Sequence, residues 1–401
     1  MMRWSALTGT GYQRPDRYRP GHGSSHIRCV PLVSAVARLL PPEGSRGSRV
    51  GRIAAGIALE TVAFVLVTVL FPVLLIGAAV ADLVLWLRRR KPWTGVRLVA
   101  VLWWFLAGEL RGLIGLGLAW LVSGPWKGDT PARRRRVFRL QATWAAGHLW
   151  GIRRIFGLRF EVEGDELVNP TEAAETPPVL VFIRHASIVD NALPATVLSL
   201  PHRLSLRFII KHELQALPTL NIGGHWIPTC FVRRESDNPD RQVARVRTLG
   251  EHLGPGDGVL IYPEGTRFTA SKLARAQAKI AEHDPAISVY ASQLRHLLPP
   301  RLGGPLALLD EATEADVLVC GHVGFDGFER VSDVWRGGLV GRTIKVRFWR
   351  HPRAEVPETQ EERIAWIYDR WLALDRWIEE QHEDTAELPA GPAVVPLLPV
   401  A

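Results

Sequence analysis

Cysteine is scarce in this chain of 401 residues, which contains only Cys29, Cys230 and Cys320. The number is odd, and no two of them have the Cys-x-x-Cys spacing that is typical of zinc ligands and redox pairs. This scatter argues against a disulfide framework and against a structural zinc site. We expect reduced thiols that are buried at positions 230 and 320, where the neighbouring residues are apolar.

Several motifs that would define a function are also missing. No Gly-x-Ser-x-Gly elbow presents a nucleophilic serine, which argues against a lipase. The glycine-rich segment 254–258 lacks the Gly-Lys-Ser/Thr of a phosphate-binding loop and precedes a strand instead of opening a helix. Basic clusters flank apolar segments instead of alternating with aromatic residues, so nucleic-acid binding is not indicated. No spacing of His, Asp and Glu predicts a metal site.

Lysine is rare as well, because only six of the 49 basic residues are Lys. The formal net charge of +9 and a sequence pI of about 9.9 favour an anionic partner. Nucleic acid, an acidic membrane surface and a phosphorylated substrate are the partners of this kind. Abundant Arg, Ala, Gly and Pro are typical of a GC-rich bacterial coding sequence.

Residues 1–52 are rich in Arg, Pro, Gly and Ser and show no sustained hydrophobic period. They lack the single apolar core and the small-residue cleavage site of a signal peptide. We predict a disordered basic N-terminal arm, and an initiation site further downstream is the alternative.

Residues 53–125 are predicted to form a membrane-anchoring region of two helices. The first apolar segment, 61–87, contains one ionisable side chain, Asp82. As a helix it would extend about 40 Å, which exceeds the roughly 30 Å hydrocarbon core of a bilayer. Pro72 is expected to kink it.

The second apolar segment, 98–123, is interrupted by Glu109 and Arg111. A charge at mid-bilayer costs at least about 2.5 kcal/mol, so these two residues disfavour a simple crossing. The segment also carries small residues that would let another helix approach closely, namely Gly108, Gly112 and Gly115.

Arginine-rich clusters flank both segments, at 46–52, 88–97 and 133–136. Positive residues normally remain on the cytoplasmic side of a membrane. Two complete crossings would place the middle cluster outside, whereas a hairpin that enters one leaflet keeps all three clusters inside. We therefore favour at least one re-entrant or interfacial segment over two full spans. Two buried helices of a soluble core fit such apolar segments poorly.

Residues 126–355 have the composition of an α/β domain. Short apolar or alternating runs predict strands at 158–163, 179–183, 206–210, 258–261 and 317–319. Helical patterns occupy 187–198, 240–253 and 271–281. Strands that alternate with helices predict an α/β fold whose mixed, mostly parallel sheet is flanked by helices.

The chain ends in a predicted C-terminal amphipathic helix at 356–383 and a tail at 384–401. Apolar residues in the helix recur at three- and four-residue steps. Packing against the core is the favoured role of this helix, and lying on a membrane is the alternative. The tail is rich in Pro, Ala, Val and Leu without a period, and we expect it to be disordered.

A histidine and a carboxylate follow the predicted strand 179–183. His185 emerges at the carboxyl end of the strand, the edge where open α/β sheets bind ligands, and Asp190 lies five positions later. A carboxylate on one ring nitrogen fixes the tautomer and leaves the other nitrogen as a general base. His-x4-Asp alone is more often structural, but the strand and the later motifs favour catalysis. Since Ser187 lies within the spacer, we predict direct attack by a substrate hydroxyl, without a covalent enzyme intermediate.

Cationic residues occur near other predicted strands. Lys211 ends one strand, where its ammonium group can reach a phosphate. Arg233 or Arg234 offers a planar fork that suits two-point contact with a phosphate.

The sequence Tyr-Pro-Glu-Gly-Thr-Arg at 262–267 predicts a sharp turn at the end of a third strand. Gly265 lets the backbone approach a ligand closely. Arg267 can hold a phosphate, and Glu264 is expected to orient that arginine or a ligand hydroxyl.

Four motifs in order resemble those of the glycerolipid acyltransferase family, the 1-acylglycerol-3-phosphate acyltransferases. They are RHASIVD at 184–190, IIKHELQALP at 209–218, FVRR at 231–234 and YPEGTR at 262–267. The resemblance covers roughly residues 149–349. Segments 297–304 and 317–328, with the helix near Trp371, are similar to the extended C-terminal portion of the lysophosphatidate and lysocardiolipin acyltransferase branch.

Two positions depart from the family pattern. Arg184 stands where asparagine often precedes the histidine. The sequence VLVCGH at 317–322 replaces the Val-Pro-Val-like strand of the fourth motif.

The resemblance implies that His185 is the general base and Asp190 its partner. It also implies that Lys211, Arg234 and Arg267 hold the phosphate of the acceptor. With the turn they make up a substrate-binding set, which is Lys211, Arg234, Glu264, Gly265, Thr266 and Arg267. No cofactor and no metal are expected, and acyl-CoA or acyl carrier protein is the expected co-substrate.

The expected function is transfer of a fatty acyl group to the free hydroxyl of 1-acylglycerol-3-phosphate, which gives phosphatidic acid in phospholipid biosynthesis. The expected location is a bacterial inner membrane rich in anionic lipids, with the catalytic domain on the cytoplasmic face. Another lysophospholipid, such as lysocardiolipin, is the alternative acceptor. A non-catalytic lipid-binding membrane module is the more distant alternative.

Overall fold

The computed structural model of the protein describes residues 46–124, 130–164, 177–232, 239–328 and 331–387. Most of the N-terminal arm predicted at 1–52, and the tail from residue 388 onward, lie outside these ranges.

Ten helices and seven strands make up the described part of the chain, apart from short 3-10 and π turns. The helices are α1 Arg46–Arg89, α2 Gly95–Val122, α3 Pro131–Phe156, α4 Pro218–Trp226, α5 Pro239–Arg247, α6 Ala270–His283, α7 Pro285–Ala291, α8 Gly303–Glu311, α9 Val331–Val334 and α10 Gln360–Glu387. The strands are β1 Arg159–Glu163, β2 Val179–Ile183, β3 Ser205–Lys211, β4 Thr229–Val232, β5 Asp257–Ile261, β6 Asp316–Val323 and β7 Thr343–His351.

The seven strands form one sheet in the order β1-β7-β6-β2-β5-β3-β4. Every neighbouring pair is parallel except β6 and β7. The predicted fold class, a mixed and mostly parallel sheet flanked by helices, is confirmed. Strands β4 and β7 were not predicted. The first is only four residues long, and the apolar positions of the second are interspersed with basic residues.

Strand β2 is the centre of the sheet and is buried on both faces, as expected for a parallel strand covered by helices. Leu180 and Phe182 face a core that α5, α6, α8 and α10 complete. Val179, Val181 and Ile183 face a second core, which includes Leu149 and Phe156 of α3. This alternation follows from the two-residue period of a strand.

Residues 187–198 differ from the predicted single helix. A short 3-10 turn occupies Asp190–Ala192 and a π-helical turn Ala195–Ser199. Ala186 and Ser187 donate their backbone N–H groups to the carboxylate of Asp190, so the chain bends around that side chain instead of starting a helix. Pro194 then removes a further backbone donor.

The two N-terminal helices match the predicted pair of apolar helices. Both are long and apolar enough to cross a membrane, and α1 continues through Pro72 without a break. Large apolar side chains of α1 are exposed along most of its length, including Val69 at 71% and Val73 at 67%. Such a continuous apolar surface is typical of contact with lipid or another partner.

The helical hairpin lies along the α/β domain. Near its turn, a Cβ added at Gly337 would touch Pro92, and Arg97 donates to the carbonyl oxygen of Ile155 at 3.0 Å. Towards its other end, a Cβ at Gly56 would lie 2.7 Å from Pro218 Cγ at the start of α4. The hairpin therefore touches the domain both near its turn and near its open end.

Two acidic residues within the apolar helices, Asp82 and Glu109, have partners inside the protein. Asp82 of α1 accepts hydrogen bonds from the backbone N–H groups of Gly95 and Val96, both at 2.9 Å, and thus caps the N-terminus of α2. Glu109 of α2 is fully buried, accepts a hydrogen bond from Thr219 of α4 and lies 3.3 Å from Nε2 of His148 on α3. These carboxylates join the hairpin to itself and to the domain.

Asp82→Ala is expected to destabilise the hairpin, because two N–H groups at the start of α2 lose their acceptor. Loss of such a cap costs about 0.5–2 kcal/mol. We expect a lower thermal midpoint for the full chain in detergent, whereas Glu380→Ala, which removes an exposed carboxylate from α10, should leave the midpoint unchanged. Equal midpoints for Asp82→Ala and the wild type would show that this cap contributes nothing to stability.

Candidate active site

Three parallel strands deliver the predicted site residues to one edge of the sheet. His185 follows β2, the turn at 262–267 follows β5, and Lys211 ends β3. Strands β2 and β5 are hydrogen-bonded neighbours, and β5 pairs with β3 on its other side. Because the strands are parallel, their carboxyl ends meet at the same edge, and the N–H of Phe268 donates to the carbonyl oxygen of His185 at 2.9 Å.

His185 and Asp190 form a hydrogen-bonded pair. Nδ1 of His185 lies 3.1 Å from Oδ1 of Asp190, and both side chains are buried or nearly so. With the proton of Nδ1 directed at the carboxylate, Nε2 carries the lone pair of a neutral imidazole. Nε2 makes no hydrogen bond with the residues that the structure describes. The pair therefore has the geometry of a general base and its orienting carboxylate.

The second oxygen of Asp190 organises the loop. Oδ2 accepts the backbone N–H groups of Ala186 and Ser187, both at 2.7 Å, and lies 3.6 Å from Nε2 of the buried His322. Burial alone would raise the pKa of Asp190, but His185, His322 and these N–H donors outweigh it and hold the pKa below its usual value. Asp190 is therefore a stable anion beside the imidazole.

Glu264 has a different role from the one expected. Its carboxyl group is buried, and it accepts the backbone N–H of His185 at 2.8 Å and the backbone N–H of Leu298 at 3.1 Å. The side chain thus fixes the backbone of the candidate base instead of orienting Arg267. Burial raises the pKa of Glu264 to about 8.

Gly265 occupies a position that only glycine suits. Its φ of 65° lies in the left-handed region, and an added Cβ would lie 2.8 Å from Cδ of Arg301. The N–H of Arg301 donates to the carbonyl oxygen of Pro263 at 2.8 Å, so this exposed arginine is fixed beside the turn. Arg301 is a cation of the edge that was not predicted as a site residue, because its sequence neighbours carry no strand signal.

The predicted phosphate-binding residues have different environments. Lys211 forms an ion pair with Glu213, with Nζ 3.1 Å from Oε1. Thr266 and Arg267 are half-buried, and Lys272 donates to the carbonyl oxygen of Arg267 at 2.7 Å. Arg234 lies in the segment 233–238, outside the described residues. Their contacts with a substrate stay predictions.

Tyr262 is a further residue of the site. Its ring centroid lies 4.4 Å from that of His185, with the planes tilted by 41°. Burial raises the pKa of Tyr262 well above its usual value, and Arg267 is close enough to act in the opposite direction. Tyr262 therefore packs against the imidazole, and its hydroxyl donates to the carbonyl oxygen of Asp190 at 3.4 Å.

Arg184, one of the two departures from the family pattern, is buried behind the histidine. Arg184 donates to the carbonyl oxygen of His322 at 2.6 Å and forms an ion pair with Asp326. Burial would raise the pKa of Asp326, but the guanidinium of Arg184 holds it below its usual value. His322, part of the other departure, lies 3.2 Å through Nε2 from the carbonyl oxygen of Arg184. Arg184 and His322 thus contact each other and help to fix the loop that carries His185.

The C-terminal helix α10 stabilises the same region. Asp375 accepts the backbone N–H groups of Arg295 and His296 at 3.0 and 2.8 Å, and the indole of Trp371 donates to the carbonyl oxygen of Leu298 at 3.0 Å. Leu298 in turn donates to Glu264. The helix therefore packs on the core, the favoured of the two predicted roles, and continues to Glu387, beyond the boundary predicted at 383.

Much of the chain is similar to known acyltransferases. Residues 159–288 match the family model described as Acyltransferase. The chain is 26% identical over 284 residues to the 1-acyl-sn-glycerol-3-phosphate acyltransferase epsilon of Mus musculus, a match that covers 66% of this chain and 74% of the mouse protein. It is 20% identical over 187 residues to an uncharacterized acyltransferase of Schizosaccharomyces pombe, covering 43% of this chain and 50% of the yeast protein.

Among solved structures, the chain is similar to the 1-acyl-sn-glycerophosphate acyltransferase PlsC of Thermotoga maritima. The match covers 71% of this chain and 96% of PlsC, with a TM-score of 0.46 and 13% sequence identity.

An α/β sheet with a histidine–carboxylate pair at its carboxyl edge and a following Glu-Gly-Thr-Arg turn is the arrangement that the resemblance to acyltransferases implies. The sequence comparisons support the same class, because residues 159–288 match the Acyltransferase model and the relatives are acyltransferases.

The raised pKa of Glu264 predicts a pH-dependent stability. The folded state favours the protonated carboxyl, so its contribution is full below the ordinary pKa of 4.5 and is lost as pH rises through about 8. We expect the thermal midpoint of the wild type to fall between about pH 5 and about pH 8.5 more steeply than that of Glu264→Gln, which does not titrate. Glu282→Gln, at an exposed position, should keep the wild-type slope. Parallel curves for the wild type and Glu264→Gln would contradict the assignment.

Proposed function

We propose that the protein is a membrane-bound acyltransferase that moves a fatty acyl group from acyl-CoA or acyl carrier protein to the free hydroxyl of 1-acylglycerol-3-phosphate. The product is phosphatidic acid. The observation that carries this proposal is the His185–Asp190 pair at the same sheet edge as the Glu-Gly-Thr-Arg turn.

The transfer follows from the geometry of the pair. Nε2 of His185 takes the proton of the acceptor hydroxyl as the oxygen attacks the thioester carbonyl carbon. The C–S bond then breaks, the ester bond remains, and the thiolate of the carrier takes the proton from the imidazolium. Asp190 stabilises the imidazolium between these steps, and a general base of this kind contributes about 10²–10⁴-fold in rate. No side chain needs to carry the acyl group.

The acceptor phosphate is assigned to the cations of the edge. Lys211, Arg267 and the unpredicted Arg301 stand at or beside the carboxyl ends of β3 and β5. An anionic headgroup there would exchange with Glu213 for contact with Lys211, since the two form an ion pair without substrate. Two-point contact with a phosphate suits the guanidinium of Arg267.

The membrane attachment we propose is interfacial instead of spanning. Helix α2 packs along α3, which contains four consecutive arginines at 133–136, and both regions of the hairpin contact the α/β domain. A crossing by α2 would draw this charged helix into the hydrocarbon core, where each charge costs at least about 2.5 kcal/mol. The hairpin lying in one leaflet, with the catalytic domain on the cytoplasmic side of a bacterial inner membrane, avoids that cost.

The proposal is tested by supplying the full chain with labelled acyl-CoA and a panel of lysophospholipids. We expect 1-acylglycerol-3-phosphate to be the best acceptor and His185→Ala to lose at least about 10²-fold in kcat without a change in thermal midpoint, because the general base is removed. His283→Ala, on the exposed end of α6, is the matched control and should keep full activity.

A preference for lysocardiolipin would show that the proposed acceptor is wrong, but it would leave the proposed acyl transfer in place. Absence of transfer to every acceptor, with either donor, would favour a lipid-binding module without catalysis.

Arg267→Ala is expected to raise the KM for the phosphorylated acceptor by about tenfold or more, because a charge-assisted contact with phosphate contributes about 1.5–3 kcal/mol. The kcat and the KM for the acyl donor should change little. Arg275→Ala, an exposed arginine of α6, is the control. An unaltered acceptor KM in Arg267→Ala would remove this residue from the phosphate site.

A further inference from the structure

A groove between α2 and α3 has no role in the acyl transfer described above. It encloses about 420 Å³, which lies within the roughly 300–1,000 Å³ of small-molecule sites. Its lining combines aromatic and small residues with one cation, namely Trp104, Arg111, Gly112, Leu140, Thr143, Trp144, Gly147 and Trp150. The groove opens between two helices and not at the carboxyl edge of the sheet.

Two glycines of α3 let side chains of α2 pack directly on its backbone. A Cβ at Gly147 would lie 2.6 Å from the guanidinium of Arg111, and a Cβ at Gly151 would lie 2.1 Å from Nε1 of Trp104. Trp104 therefore lies directly on the backbone of α3, where its indole N–H donates to the carbonyl oxygen of Gly147 at 2.9 Å. The guanidinium of Arg111 lies over Gly147, where any side chain would displace it.

Two arginines and two tryptophans form a row, of which Arg111, Trp104 and Trp150 line the groove and Arg154 lies beyond Trp150. Arg111 lies 5.6 Å from the ring centroid of Trp104, the rings of Trp104 and Trp150 are 5.2 Å apart, and Arg154 lies 5.6 Å from Trp150. Aromatic faces hold a guanidinium in place by cation–π attraction while its N–H groups stay available.

Both arginines lack an acidic partner. Arg111 and Arg154 are exposed, and neither forms an ion pair with a carboxylate in the ranges that the structure describes. A fixed guanidinium without an acidic partner is complementary to a phosphate, which it can contact at two points.

An apolar stripe on α2 continues from Arg111 towards the C-terminus of the helix. Ile114 and Leu118 follow Arg111 at three and seven positions, which places all three on one face of α2. Both apolar side chains are exposed, Ile114 at 64% and Leu118 at 55%. A ligand with its phosphate at Arg111 would therefore find an apolar path for a chain attached to that phosphate.

We propose that this groove binds one anionic phospholipid of the surrounding membrane, at a site separate from the catalytic pocket. The phosphate contacts Arg111, the headgroup extends along Trp104 and Trp150 towards Arg154, and an acyl chain follows the stripe towards Leu118. A diacyl lipid is the occupant because the stripe continues the exposed apolar surface of the hairpin, which faces lipid in the membrane attachment proposed above. The proposal rests on membrane attachment and not on acyl transfer.

The test measures lipid binding to the full chain in detergent by native mass spectrometry. Dioleoyl phosphatidylglycerol and dioleoyl phosphatidylcholine are titrated separately. We expect one phosphatidylglycerol to bind the wild type at least about tenfold more tightly than phosphatidylcholine, and Arg111→Gln/Arg154→Gln to abolish that preference. Because both arginines are exposed, the double variant should keep the wild-type thermal midpoint.

The matched control is Arg135→Gln/Arg139→Gln, which removes the same charge from exposed positions of α3 outside the groove. This control should bind phosphatidylglycerol within about twofold of the wild type. An equal loss in both double variants would show attraction to surface charge only and would overturn the proposal, as would a double variant at 111 and 154 that retains the preference.

A final comparison separates this site from the catalytic one. His185→Ala should bind phosphatidylglycerol as the wild type does, whether or not acyl transfer is the activity of the protein. Displacement of phosphatidylglycerol by lysophosphatidate at a tenfold lower concentration would assign the groove to the acceptor, and the proposal of a separate site would be wrong.

Discussion

The carboxylate of Asp190 is the group around which the candidate site folds. One oxygen orients the imidazole of His185, and the other accepts two consecutive backbone N–H groups of the loop between them. The same anion therefore sets the position of the base and the shape of the segment that carries it. A carboxylate can serve both purposes because each of its oxygens accepts more than one hydrogen bond.

A second carboxyl group joins the neighbouring strands at this edge. Glu264 accepts from the backbone of His185 and from the backbone of Leu298, which α10 holds in turn through Trp371. The turn after β5, the loop after β2 and the C-terminal helix thus share one buried acceptor. This arrangement explains why Glu264, in a motif associated with the substrate, is turned away from solvent, and why the C-terminal helix is part of the candidate site.

Much of this was predictable from the sequence, and the exceptions have physical causes. The strands that carry His185, Lys211 and the turn at 262–267 are short apolar runs, so their period and the residues at their ends were visible. The role of Glu264 was not, since its partners are backbone groups 34 and 79 residues away. The contact between Arg184 and His322 joins residues 138 positions apart, and no local pattern indicates it. The helix predicted at 187–198 is wrong because the prediction rested on the apolar pattern and did not allow for Asp190, whose carboxylate accepts the nearby backbone N–H groups of Ala186 and Ser187.

The contact of Gly56 with Pro218 has a consequence for the membrane attachment proposed above. Lys211, the turn that follows it and α4 are consecutive in the chain, and α4 begins against the apolar helix α1 with no room for a side chain between them. In that attachment, van der Waals contact and not a flexible tether sets the height of Lys211 above the bilayer. A fixed height would select acceptors by the depth at which their headgroup lies in the bilayer. A lipid with a bulky or raised headgroup would then place its phosphate away from Lys211, even if it carried the same charge.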